Sequence, residues 1–332
     1  MTTWTWEMNR RQYLMATGAG ILAAGLAAPS SWAADQVTIR QGYQTNMWGM
    51  PTYYLMRSGL LQKHGIKAEQ FAVPSGNLTM QQMVARQVDL GTFAGPSFAI
   101  GREKGGLIAI AMIEYVGKTA RVMARKDLKL TTVAQLKGKK VANQTGSSIA
   151  NIFDYEIAPK QGLHKGDFTE VRMNVNDMVS ALSAKTVDAM VDVEPYNSIA
   201  EADGIANTLV DFYKFDKLPV FMTATPDFVH NHPNTIVAYL KAWLDVADDF
   251  KNKPEKVHDV IFGFYSDKGF EMSKATFINA ISRVEVDIGW PNDLDHYMTR
   301  NAELLIKQRK IKRIPDWNKA FRRDFLQRAK SA

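Results

Sequence analysis

From Val37 onward, short apolar runs alternate with stretches whose apolar residues recur every three or four positions. The first pattern reads as strand and the second as helix, so the alternation predicts βα units. Strands are expected over Val37–Tyr43, Ile66–Val73, Val88–Ala94 and Leu107–Ile113. Helices are expected between them, over Pro51–Leu61, Asn77–Arg86 and Pro96–Glu103, two of them opened by proline at the first turn. A second run repeats the pattern, with strands over Lys140–Gln144, Phe168–Met173 and Val187–Val193. Its helices are Ser148–Gln161, Asp177–Lys185 and Pro195–Ala202. From about Pro226 the pattern is mostly helical. Over Pro233–Phe250 one apolar stripe carries Ile236, Leu240, Trp243, Leu244, Ala247 and Phe250, and Pro254 ends it.

The two runs echo each other at a shift of 99 residues. Asn77 pairs with Asn176, Met83 with Leu182, Ala85 with Ala184 and Arg86 with Lys185. Val88-Asp89 then matches Val187-Asp188, and Pro96 matches Pro195. Shared βα grammar gives one account of this; two α/β lobes of similar construction give the other.

Ahead of this region, Asn9-Arg10-Arg11-Gln12-Tyr13-Leu14 precedes an apolar, small-residue run from Met15 to Ala28. Pro29 breaks the run, and Ser31-Trp32-Ala33 offers small side chains for cleavage near Ala33. This is the order of an export signal over residues 1–33, with adjacent arginines of the twin-arginine kind. A membrane anchor is the alternative, but the run falls short of the roughly 20 apolar residues a spanning helix needs. The mature chain is therefore expected to be soluble and periplasmic.

Composition narrows the function. There is no Cys in the 332 residues, which excludes disulfides, thiol nucleophiles, Cys-ligated metals and a lipid-anchored Cys. The net charge of +7 allows nucleic acid, a membrane surface or an acidic ligand as partner. Its location decides between them. Lys307–Ala332 holds ten Lys or Arg against two Asp, so the basicity belongs to a C-terminal helical tail. A solvated helix face accounts for that tail, with a membrane-surface or permease contact as the alternative. Export argues against nucleic acid. His230-Asn231-His232-Pro233, and Asp287, Asp293 and Asp295 around Gly289-Trp290-Pro291-Asn292, read as caps and turns. No nucleophile elbow, metal motif, phosphate loop or dinucleotide fingerprint occurs, so binding is favoured over catalysis and no cofactor is expected.

In open α/β sheets ligands sit beyond the carboxyl ends of strands, where helix N-termini offer unpaired N–H groups to anions. The strand-to-helix junctions are Gln44-Thr45-Asn46-Met47-Trp48-Gly49, Pro74-Ser75-Gly76-Asn77 and Ala94-Gly95-Pro96-Ser97. The second run adds Gln144-Thr145-Gly146-Ser147-Ser148 and Asp192-Val193-Glu194-Pro195-Tyr196. Each serves equally as a helix cap or as a ligand contact.

These residues, in this order and spacing, resemble the periplasmic solute-binding proteins of nitrate/sulfonate/taurine-type ABC importers. The resemblance rests on Gly59–Ile66, Pro74–Asn77, Gln87–Gly91, Leu136–Ala142, Gly146–Ser148, and Val187–Ala189 through Glu194-Pro195. It implies a type II periplasmic binding protein: two α/β lobes joined by a two-strand hinge, with the ligand cleft between them. Residues 34–122 and 224–332 would form one lobe and 123–223 the other. Strands near Ala120–Arg125 and Val220–Thr225 would form the hinge. It also implies a monomer that captures a small organic anion and delivers it to a membrane permease with its ATPase. The matching positions are Ser75, Gly76, Asn77, Ser97, Thr145, Ser147, Ser148 and Glu194. Trp48, Tyr115 and Tyr196 would wall the cleft, which favours an organic sulfonate or aromatic carboxylate over bare nitrate. Arg121 would be a counter-charge or a hinge salt bridge. A related branch handles thiamine-pyrimidine precursors, and its enzymes use a Cys-rich motif. An exported enzyme and a pyrimidine-precursor binder on the same fold are the alternatives.

Overall fold

The computed structural model describes residues 37–331, so the export signal read over 1–33 lies outside the described residues. No helix among the described residues is long and apolar enough to cross a membrane.

Among the described residues, eleven strands form two mixed sheets, one for each lobe. The first sheet holds β1 (Thr38–Gln44), β2 (Lys67–Val73), β3 (Leu90–Ala94), β4 (Ile108–Tyr115), β10 (Pro219–Ala224) and β11 (Glu285–Gly289), in the order β11-β4-β10-β3-β1-β2. The second holds β5 (Arg121–Arg125), β6 (Lys140–Asn143), β7 (Thr169–Arg172), β8 (Ala189–Asp192) and β9 (Ala206–Asp211), in the order β7-β6-β8-β5-β9. In each sheet the strand that opens the βα run lies between two parallel neighbours. β1 pairs with β2 and β3, and β6 pairs with β7 and β8. An antiparallel strand comes next, β10 beside β3 and β5 beside β8.

The 99-residue echo has a physical counterpart. Asp89 donates its N–H to Arg40 O at 2.8 Å and accepts from Arg40 N at 3.0 Å. Asp188 donates to Lys140 O at 2.8 Å and accepts from Lys140 N at 2.9 Å. Each aspartate therefore pins the return strand to the first strand of its sheet. The turn before each uses a left-handed residue, Arg86 (φ 60°) or Lys185 (φ 59°). Met83 and Leu182 are both buried under these turns.

Several elements differ from the sequence reading. The helix expected over Pro51–Leu61 is two, Met50–Arg57 and Leu60–Lys63, separated at Gly59, whose φ of 83° ends the first. The helix expected over Ser148–Gln161 is α-helical over Ser148–Ile152, widens to a π turn over Phe153–Ile157 and resumes over Ala158–Lys160. The long helix Pro233–Asn252 buries Ile236, Leu240 and Trp243 as its stripe requires, with Tyr239 added. Tyr239 donates to the buried Gln41 Oε1 at 2.7 Å, which fixes the helix on β1.

The strand near Val220–Thr225 is not a crossing but an interior strand of the first sheet, because β10 pairs on both sides, with β3 and β4. The other expected hinge strand, β5, pairs with β8 and β9 in the second sheet. The chain passes between the sheets at 116–120 and 212–218. These segments bond to each other, Val116 N to Leu218 O at 3.1 Å and Gly117 N to Lys217 O at 2.9 Å. A Cβ on Gly117 would lie 2.3 Å from Asp216 O, so only glycine lets the two backbones approach this closely.

Just beyond the first crossing, Arg121 is buried between β8 and β9 and pairs with the fully buried Glu194. It also donates to Glu201 Oε2 at 2.8 Å, Thr208 Oγ1 at 3.0 Å and Ser198 Oγ at 3.2 Å. Glu194 accepts in turn from Ser198 N at 3.0 Å and lies 3.3 Å from Arg283 Nε. Four bonds and two extra charges offset the desolvation that an isolated buried pair would suffer.

Two substitutions test this frame. Gly117→Ala forces the crossings apart and is expected to lower stability by about 1–3 kcal/mol in denaturant unfolding, as over-packing does. Arg121→Met leaves the Glu194 carboxylate buried with only Arg283 beside it. It is expected to cost about 3 kcal/mol in the same assay, with part of the loss restored by Glu194→Gln.

Candidate ligand-binding cleft

The carboxyl ends of β1, β2, β3, β6 and β8 are followed by the polar turns singled out in the sequence. The first sheet contributes Asn46, Trp48, Ser75, Gly76, Asn77 and Ala94 to one wall of a cavity. The second contributes Gln144, Ser147 and Ser148, with Ile149, Val175 and Val193 as apolar wall. Ser97 and Ser148 share a hydrogen bond between their hydroxyls at 3.1 Å, so the walls touch across the cleft. The space between them is about 20 Å³, room for roughly one water molecule. A ligand larger than this does not fit the space as it stands.

Local chemistry fixes each wall. Asn46 caps the short turn Met47–Gly49 by accepting from Trp48 N at 3.0 Å, and donates to Pro74 O at 3.2 Å. It thereby ties the turn after β1 to the turn after β2. Gly76 opens the helix Gly76–Val84, and a Cβ there would lie 2.8 Å from Phe93 Cβ. Behind it the buried Gln44 donates to Thr92 O and accepts from Thr92 Oγ1 at 3.1 Å. On the opposite wall, Ser147 caps its helix by accepting from Ala150 N at 3.2 Å. Its neighbour Gly146 is left-handed at φ 89°.

Thr119, on the first crossing, joins the walls. Its hydroxyl accepts from Trp48 Nε1 at 2.5 Å and donates to Val116 O at 2.7 Å. Its carbonyl accepts from Glu194 N at 3.1 Å and Asn197 Nδ2 at 3.0 Å. Glu194 O in turn accepts from Met47 N at 3.0 Å.

The residues expected from sequence therefore divide. Trp48, Ser75, Gly76, Asn77, Ser147 and Ser148 line one cavity, and Ser97 lies against it through Ser148. Thr145 donates to Glu170 Oε1 at 2.7 Å and lines an adjoining groove with Arg172. Arg121 and Glu194 pair with each other and do not line this cavity. Tyr196 is buried with its ring 6.0 Å from Phe270, and burial pushes its phenol well up. Tyr115 lies at the edge of the crossings in another pocket, with Lys217 and Tyr297. Asn46 and Gln144 stand within the quoted turns but were not singled out, and Thr119 carried no signal beyond its place between two strands.

The cavity lining holds no charged side chain. Asp192, close behind at the end of β8, is fully buried, and desolvation drives its carboxyl well above the usual range. The cleft therefore presents hydroxyls, amides, an indole and helix N-termini. That set suits an anion held by hydrogen bonds rather than by a counter-ion. Among the described residues, no group of three or more His, Cys, Asp or Glu is arranged to hold a metal.

Comparison with known proteins agrees with the fold. The family described as NMT1/THI5 like matches residues 46–257. A provisionally named binding protein of Brucella abortus is 29% identical over 244 residues, covering 71% of this chain and 74% of the relative. A provisionally named ABC transporter periplasmic binding protein of Brachyspira hyodysenteriae is 24% identical over 269 residues, covering 75% of each chain. The alkanesulfonate-binding protein SsuA of Xanthomonas axonopodis pv. citri, solved with MOPS bound, superposes with a TM-score of 0.76 at 19% identity, over 88% of this chain and all of that one. With its two mixed sheets and crossed connections, the chain belongs to the NMT1/THI5 like family and has the type II periplasmic binding protein fold.

Proposed function

We propose that the protein is the extracytoplasmic solute-binding component of an ABC importer, and that it captures a small organic anion of sulfonate or aromatic carboxylate type. The observation that carries this reading is the charge-free cleft at the facing strand ends, bridged by Ser97 and Ser148. Anionic oxygens that replace the serine–serine bond would take donors from both lobes at once, so ligand binding and closure become one event. The lobes turn about the crossings at 116–120 and 212–218. The chain is exported with its signal removed near Ala33, works as a monomer and passes its cargo to a membrane permease coupled to an ATPase. The similarity to periplasmic binding proteins, one of them solved around a sulfonate buffer, supports the same reading.

A thermal-shift panel of alkyl and aryl sulfonates, phthalate-like acids, taurine, nitrate and pyrimidines tests it. The cognate anion at a hundredfold excess over its Kd is expected to add about 2.7 kcal/mol of stability, reversibly and without turnover. Ser97→Ala and Ser148→Ala are each expected to weaken binding roughly three- to tenfold in calorimetry, with the fold intact. Stabilisation by sugars or cations alone would contradict the anion reading.

A further inference from the structure

Beside the neutral cleft lies an open groove of about 540 Å³ with the opposite electrostatic character. Asn77 lines both spaces, so they share a wall. Lys104, Arg309 and Lys310 line the groove, and no carboxylate does. Among the described residues, none of these three cations lies within an ion pair. Met80, Val84 and Ile100 add apolar lining to the same groove. Gly146, on the far lobe, closes the groove next to the cleft-lining Ser147.

The loop that carries two of these cations is held to that far lobe. Gln308 Nε2 donates to Asn151 Oδ1 at 2.5 Å, on the helix that Ser147 caps. Arg309 follows at once in the left-handed region, at φ 58°. Closing the lobes therefore assembles the groove as well as the cleft. Lys310 is half-buried, and desolvation lowers its ammonium pKa while Asp154 pulls it back up. Asp154 itself lies outside the groove lining.

A neutral donor-lined cleft and, sharing its Asn77 wall, a groove that combines apolar residues with three cations form a template for a ligand with two charged ends. Building on the anion-binding function proposed above, we infer that the cargo is an organic dianion. One anionic group sits in the serine-lined cleft, the carbon body crosses Met80, Val84 and Ile100, and the second anionic group reaches Lys104, Arg309 and Lys310. A bare inorganic anion would leave the groove unused.

The test is calorimetric titration with alkane disulfonates of two to six carbons and the monosulfonates of matching length. Wild type is compared with a Lys104→Gln, Arg309→Gln, Lys310→Gln variant of unchanged unfolding temperature, at low and at physiological salt. At least one disulfonate is expected to bind wild type about tenfold more tightly than its monosulfonate, an advantage that shrinks with salt. The variant is expected to lose that advantage and keep its monosulfonate affinity. The inference is overturned if no disulfonate exceeds its partner, or if the variant weakens both alike. Failure of every alkane sulfonate to bind wild type overturns this inference alone; the organic-anion reading falls only if the thermal-shift panel of sulfonates and aromatic acids is also without effect.

Discussion

A guanidinium sealed between two strands must have its charge answered, and Arg121 meets that requirement through Glu194. The consequence reaches beyond the pair. The glutamate that answers Arg121 also offers its main chain to both walls of the cleft, donating to Thr119 O and accepting from Met47 N. Thr119 then holds the Trp48 indole. One buried electrostatic demand thus sets the relative position of the turn after β1, the first crossing and the end of β8. The cleft-lining residues inherit their geometry from it, although neither charged partner lines the cleft.

The same economy explains why the cleft is neutral. Arg121 and Glu194 are paired with each other outside its lining, and burial drives the Asp192 carboxyl well above its usual range behind the wall. What remains at the surface of the cleft is hydroxyl, amide and backbone N–H. Such donors distinguish anions from cations by their direction, with no fixed charge whose desolvation must be repaid on closure. Fixed positive charge is kept in the adjoining groove, where solvent still screens it.

Much of this was legible in the residues. The alternation of strand and helix patterns located seven of the eleven described strands to within a few residues, the resemblance added β5 and β10, and β9 and β11 were missed; the Val-Asp repeat marked equivalent turns in both lobes. Junction turns rich in Ser, Gly and Asn pointed to the cleft because such residues sit where helices begin. The remainder depends on contacts between distant parts of the chain. Whether Arg121 meets a ligand or Glu194 depends on what β8 and β9 place around it, and its further partners Glu201 and Thr208 lie 80 and 87 residues away. Tyr115 and Tyr196 look like cleft aromatics on a linear map, but the packing of Tyr297 and Phe270 takes them elsewhere. β10 resembled a hinge strand because a crossing and an interior strand have the same apolar pattern; pairing on both edges decides between them. Arg309 and Lys310 were visible only as part of a basic tail, with no sign that Gln308 ties their loop to the second lobe.

Closure of the lobes around an anion is the central step of the proposed function. Small-angle X-ray scattering of the mature protein, titrated with the tightest-binding anion from the thermal-shift panel, tests that claim most directly. The account predicts a radius of gyration that falls with ligand occupancy and saturates at one ligand per chain. A radius that stays constant through a titration which calorimetry shows to be saturating would contradict it.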